Sequence, residues 1–351
     1  MELCKGKSRK MSETDIVLCM LFIMVVAADT KKASVWHVLS VETTDYLKGI
    51  FATMILFHHI TQVTGGSIFL NMGYLGVSGF LFCSGYGLFC SHNAQKDYVY
   101  KIIYRKIPEI LLISFITIVY SAMYFNFLGG VLLSEFAKIL AGNRLLNWYF
   151  TEIIVLYILF AVSIKAARDS HKVLAIYNFI LTTGMAGILC IMYLFGGVGL
   201  HWFISLYAFP FGVLFGVTGD KILKLVSSKK RIFLVGILFL IVFLCINYAK
   251  IWRYHILLKL TRILILCLSS VIFCVVICGI FRMYQSRGIL SWIGKRSAEM
   301  ILTQQIALHV FRNNIIYVKN DIMWVLGSLV MQVGLMMVVR PLYNQVRLKF
   351  K

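Results

Sequence analysis

A chain of 351 residues that is 60% hydrophobic and only 14% charged, with a mean hydropathy of +0.85, carries more apolar surface than a water-soluble shape can bury. The composition excludes an ordinary soluble enzyme and points to an integral membrane protein. A formal charge of +21 would mark a soluble protein for nucleic acid, but in so apolar a chain its meaning lies in which loops carry it.

Taken in order, the first 46 residues form a separate N-terminal segment. Ile16 to Ala28 is a short apolar run behind Lys5-Gly-Lys-Ser-Arg-Lys10 and before Asp29-Thr-Lys-Lys32. That outline suits an inner-face or re-entrant segment, a cleaved signal peptide or an additional span. Cleavage would leave Lys31 and Lys32 outside and invert every later loop, so the cytoplasmic or membrane-associated segment is the working reading. Apolar runs then predict ten transmembrane helices over 47–340: Leu47 to Thr64, Ile68 to Cys90, Ile107 to Phe127, Trp148 to Ile164, Val173 to Phe195, Leu200 to Gly219, Ile232 to Tyr248, Leu260 to Phe281, Ile289 to Phe311 and Ile322 to Val339. A basic tail, 341–351, follows. The expected fold is an all-α polytopic membrane domain.

Loop charges orient it. Lys96, Lys101, Arg105, Lys106, Lys165, Arg168, Lys172, the Lys221 to Arg231 cluster, Arg282, Arg287 and Arg340 fall in alternate loops, together with Lys31 and Lys32. The intervening loops hold far fewer cations, which puts both termini in the cytoplasm. The exception is Lys250 to Arg262, a basic stretch on the other side. Nine cysteines lie almost wholly in apolar segments, without metal spacing, so neither a disulfide framework nor a metal site is expected.

Ionisable residues within spans are few: His58, His59, Glu152, His201, Glu299 and His309. Each is costly in a bilayer, and each has a plain reading as an interhelical hydrogen-bond partner. His59 stands out by register. Eleven residues separate it from Lys48, which on a helix returns to within about 20° and about 16 Å further along. His58 points about 100° away, so the register selects His59. Lys48 alone is also what a snorkelling interface anchor looks like. His201 and Trp202 suit an interface belt.

Lys48 and His59 fit the basic-x10-His signature of the membrane acyltransferase 3 family. Gly76-Val-Ser-Gly-Phe-Leu-Phe-Cys-Ser-Gly-Tyr86 resembles its second-helix pattern, and Arg105-Lys-Ile-Pro108 the basic run opening its third helix. Trp148-Tyr-Phe with Tyr157, Phe209-Pro-Phe-Gly-Val-Leu-Phe-Gly216 and Ile293-Gly-Lys-Arg-Ser-Ala-Glu-Met-Ile-Leu-Thr-Gln304 resemble later segments in order. The resemblance covers Glu42 to Val339. Two positions depart from it: Ile301 replaces the usual Tyr and Gln304 a frequent His, which puts proton transfer by that helix in doubt.

The resemblance implies O-acyltransfer, commonly of acetyl, from cytoplasmic acyl-CoA to a hydroxyl of a cell-surface polysaccharide or lipid-linked glycan, in the plasma membrane of a bacterium. His59 is then the general base, with Lys48 beside the donor. Lys101, Arg105 and Lys106 are the cations for donor phosphate. Glu299, Glu152 and His58 are possible supporting residues. A proton-coupled exporter or flippase of lipid-linked sugars is the alternative of a different class, and a scaffold without catalysis a third.

Overall fold

The computed structural model describes residues 12–29, 31–32, 39–95, 97–112, 115, 148–167, 170–195, 197–225, 233–237, 239, 256–281, 284–285, 288–313 and 315–349. Their longer helices are α1 (Glu13–Asp29), α2 (Val41–Thr64), α3 (Gly73–Ala94), α4 (Trp148–Ala167), α5 (His171–Leu194), α6 (Ala208–Leu225), α7 (Ile256–Phe281), α8 (Ile289–Gly294), α9 (Ser297–His309) and α10 (Asp321–Lys349). Between α3 and α4 a short helix, Tyr98–Lys101, widens into a π-helical turn, Ile102–Lys106. Two two-residue strands, β1 (Lys31–Lys32) and β2 (Tyr284–Gln285), pair antiparallel.

The all-α membrane architecture holds, but the ten expected spans do not reduce to ten uniform rods. Five described helices are long and apolar enough to cross a membrane: Gly73–Ala94, Trp148–Ala167, His171–Leu194, Leu260–Ile280 and Asp321–Gln345. Two expected spans, Ile107 to Phe127 and Ile232 to Tyr248, lie largely outside the described residues. The stretch from Leu200 opens as a 3-10 turn and becomes a regular helix only at Ala208. The stretch from Ile289 is broken in two. The break falls at Lys295 and Arg296, where the Arg296 guanidinium stacks 4.3 Å over Trp292 and donates to its carbonyl at 3.3 Å. Two adjacent cations could not continue into the apolar interior, so the helix ends and restarts.

The remaining expected span is α2, and its sequence explains its place. Glu42, Asp45, Lys48, His58, His59 and Gln62 make it too polar to face lipid. Gly49 through Phe57 are all buried, two and a half turns without an outward side. The neighbours that enclose it are α1, α3, α8 and α9. One crossing depends on glycine: a Cβ on Gly49 would strike the Leu290 carbonyl of α8, and a Cβ on Gly294 the Asp45 carbonyl of α2. Two backbones touch there, as small residues permit in membranes. The shell outside is lipid-like, with Ile176, Ile180 and Ile191 on α5 and Val330 and Val338 on α10 all exposed.

The helices alternate in direction, so the bundle has two chemically different ends. At the end where α2 begins lie Lys101, Arg105, Lys106, Lys165, Lys172 and Lys221, with Lys295, Arg296 and Arg340. The opposite end, where α2 finishes, holds the histidine pair, Trp148, His201, Arg312 and Lys319. The N-terminal segment packs as a helix along the bundle. Helix α1 runs antiparallel to α2 from end to end. Asp15, in its first turn, is buried and accepts from the backbone N–H of Ser67 (2.9 Å) and Ile68 (3.2 Å) in the turn after α2. Its far end leads to β1 beside β2, at the basic end. The helix, at 17 residues, is longer than the apolar run, and Asp15, satisfied by backbone donors, can be drawn inside with it. The start of α1 and the end of α10 therefore lie at opposite ends of the bundle.

Candidate functional site

The register that singles out Lys48 and His59 requires one unbroken helix, and α2 is one. It starts with Ser40, whose Oγ accepts from the Thr43 N–H at 3.2 Å, and stops at Gly65, whose φ of 75° closes the last turn onto the Thr61 carbonyl. Lys48 lies about two turns inside the basic end, and His59 about a turn and a half inside the other. With 24 residues in α2, about 36 Å of helix, the two residues straddle its middle.

At the His59 end, both imidazoles are half-buried and their ring centres are 5.1 Å apart. His58 packs on the start of α3, close enough that a side chain on Gly73 would run into its ring. Gln62 reaches both rings. Its Oε1 lies 3.0 Å from His59 Nδ1 and its Nε2 3.0 Å from His58 Nε2. Gln62 is not among the residues that the sequence singles out, although its spacing, three residues past His59 and four past His58, is the one that brings side chains together on a helix. Across the same end, Trp148 packs edge-on to His201 at 5.1 Å, and the Tyr74 hydroxyl meets Ser269 Oγ at 3.2 Å.

Lys48 is half-buried, and with Asp45 it lies within electrostatic range of Cys83, halfway along α3. Cys83 in turn is within range of Tyr149 on α4, as is Glu152. Tyr157, one more turn along α4, hydrogen-bonds Ser84 and is in range of Glu109 and Tyr343. A polar seam therefore runs between α2, α3 and α4 through an otherwise apolar core. Glu152 is fully buried, and neither of its carboxylate oxygens has a partner among the described residues.

The two candidate acids part company here. Glu152 lies in the seam near Tyr149, and no described contact joins it to His59. Glu299 is fully buried, and its Oε1 is 2.5 Å from Arg340 Nη1, which also donates to the Lys295 carbonyl at 3.1 Å. Glu299 thereby ties α9 to α10. The proposed phosphate cations sit on the π-helical turn and its flank: Lys101 donates to Gln95 Oε1 at 3.0 Å, Arg105 is exposed and Lys106 half-buried. Such a turn interrupts the regular ladder and recurs at functional sites. His309 is exposed. Among the described residues no group of three His, Cys, Asp or Glu is placed to hold a metal ion.

Two of the segments that carry the sequence resemblance also meet in space. A Cβ on Gly85 of Ser84-Gly-Tyr86 would strike the Phe209 carbonyl, and one on Gly212 of Phe209-Pro-Phe-Gly212 the Phe82 carbonyl. Gly294, from the late Gly-Lys-Arg segment, sits on α2 one turn before Lys48. A family model described as an acyltransferase domain, that of the membrane acyltransferase 3 family, matches residues 42–340. No curated protein and no solved structure matches the chain. The match spans most of the sequence, and the chain belongs to this family: it is a membrane acyltransferase.

Proposed function

From that membership we propose that the chain is an O-acyltransferase of a bacterial plasma membrane. It moves an acyl group, acetyl in the simplest case, from cytoplasmic acyl-CoA to a hydroxyl of a cell-surface polysaccharide or lipid-linked glycan. The observation that carries this reading is α2 itself, one enclosed helix with a cation toward its basic end and an imidazole toward the other.

The chemistry follows from the two groups. An alcohol is a poor nucleophile at neutral pH and needs a base within hydrogen-bond reach. Neutral imidazole, which a desolvated site favours, is that base. His59 takes the hydroxyl proton as the oxygen attacks the thioester carbonyl, and the thiol leaves with a proton as the ester forms. The donor is an anion with its thioester on a long arm. Lys101, Arg105 and Lys106 hold its phosphates at the cytoplasmic end, and Lys48 supplies positive charge deeper in the seam, against phosphate or against the thioester oxygen. The acceptor enters from the histidine end, where Trp148 and His201 offer a ring surface to sugar. Glu152 is the supporting polar group of the seam.

Purified protein in detergent or nanodiscs, given labelled acetyl-CoA with and without a glycan acceptor, tests the reading. His59→Ala should lower transfer by on the order of a hundredfold to ten-thousandfold while insertion and folding persist. Transfer by His59→Ala at the parental rate would remove the base from this proposal.

A further inference from the structure

His58 and His59 leave α2 about 100° apart, yet one side chain joins them, and the chemistry of that side chain is directional. An amide oxygen only accepts a hydrogen bond and an amide nitrogen only donates one. Gln62 Oε1 faces His59 Nδ1 and Gln62 Nε2 faces His58 Nε2, each at 3.0 Å. His59 must therefore carry its proton on Nδ1 and donate to the amide, while His58 Nε2 accepts. The free lone pair of His59 is then on Nε2. The proton of neutral His58 is then on Nδ1, a buried atom that has no hydrogen-bond partner among the described residues, on a ring near the Phe69 and Leu70 backbone.

We infer that Gln62 is a positioning residue, whose amide holds His59 in the Nδ1–H tautomer and so makes Nε2 the atom that takes the acceptor's proton, with His58 keeping the amide from turning over. The inference rests on the reading of His59 as the base. It gives the second histidine a role the first cannot share. Without the amide, neutral His59 exchanges between two tautomers, and the fraction protonated on Nε2 has no base at the reacting atom. Which nitrogen of an imidazole acts is set in this way by the hydrogen bond that the other makes.

The test is a tautomer measurement beside a rate measurement. Protein labelled with 15N-histidine in nanodiscs, at a pH where imidazole is neutral, should show His59 with a protonated Nδ1 and a bare Nε2, its signals assigned by their loss in His59→Ala. Gln62→Met, close in shape but without the amide, should move those signals toward the tautomer average, and Gln62→Glu, which keeps an acceptor oxygen, should hold them near the parent. Transfer should fall about two- to twelvefold in Gln62→Met, the net worth of one hydrogen bond, with acyl-CoA affinity unchanged and substantial rescue in Gln62→Glu. Adding His58→Ala to Gln62→Met should cost nothing more. A parent His59 protonated on Nε2, or a spectrum unmoved by Gln62→Met, overturns the inference. The spectra need no turnover, so failure of His59 as the base would show in the His59→Ala rate and leave the tautomer result standing on its own.

Discussion

Glu299 is a candidate supporting residue by sequence, and its ion pair with Arg340 makes the opposite expectation measurable. The perturbation is Arg340→Met, which strands a fully buried carboxylate whose second oxygen already lacks a partner among the described residues. Removing one partner of a buried pair costs about 3–5 kcal/mol. The Arg340 side chain is 30% exposed, so solvent screens the pair, and about 2 kcal/mol is the fitting magnitude. Glu299→Gln removes the buried charge yet keeps an oxygen for Arg340, and should cost under about 1 kcal/mol. Combining it with Arg340→Met should recover much of the loss, a coupling of about 1–2 kcal/mol. In a thermal melt in detergent, at about 2 °C per kcal/mol for a chain of this size, Arg340→Met should unfold about 4 °C early and the double variant later than the single one. Acyl transfer by Glu299→Gln should stay near the parental rate. An Arg340→Met protein as stable as the parent would refute the energetics. A Glu299→Gln protein that melts normally but no longer transfers would put Glu299 into the chemistry.

Two further outcomes are expected. Arg105→Gln should weaken binding of a non-hydrolysable acyl-CoA analogue by about tenfold or more, one charge-assisted contact, with acceptor recognition little changed; equal affinities at moderate salt would return the cluster to a topological role. Single cysteines at Ser12 and Gly65, in a background cleared of native Cys, should be labelled from one side of the membrane and cysteines at Gln95 and Gln345 from the other, and labelling of Ser12 together with Gln345 would contradict the course of α1.

What the sequence made legible was what repeats within a few residues. The register of Lys48 and His59 is a property of one helix, so helical geometry alone placed them on a common face, and α2 runs unbroken through both. Gln62 belongs to the same short range and was readable from its spacing. The Glu299–Arg340 pair was not, because 41 residues and a chain reversal separate its members and no local pattern announces a partner across α9 and α10. The break at Lys295 and Arg296 lay between. Two adjacent cations after a glycine contradict an uninterrupted membrane helix, but only the contact of Gly294 with α2 explains why the chain keeps them at the basic end.

Hydropathy and loop charge read α1 and α2 without their neighbours, and that bears on the site. Both methods treat each helix as if lipid were its neighbour, and neither helix meets lipid on all sides. Asp15 looks like a terminator of an apolar run until the turn at Ser67 and Ile68 supplies donors for its carboxylate. The charges of α2 look like a weak span until α1, α3, α8 and α9 surround it. Lys48, His59 and Gln62 lie on a helix that is not among the described ones apolar enough to cross a membrane by composition. In this fold the cost of burying them is met by enclosure, and the apolar helices outside form the wall that makes the enclosure possible. It follows that α1, which lies outside residues 42–340, still contributes to the His59 end, because its Asp15 holds the turn from which Phe69 and Leu70 approach His58.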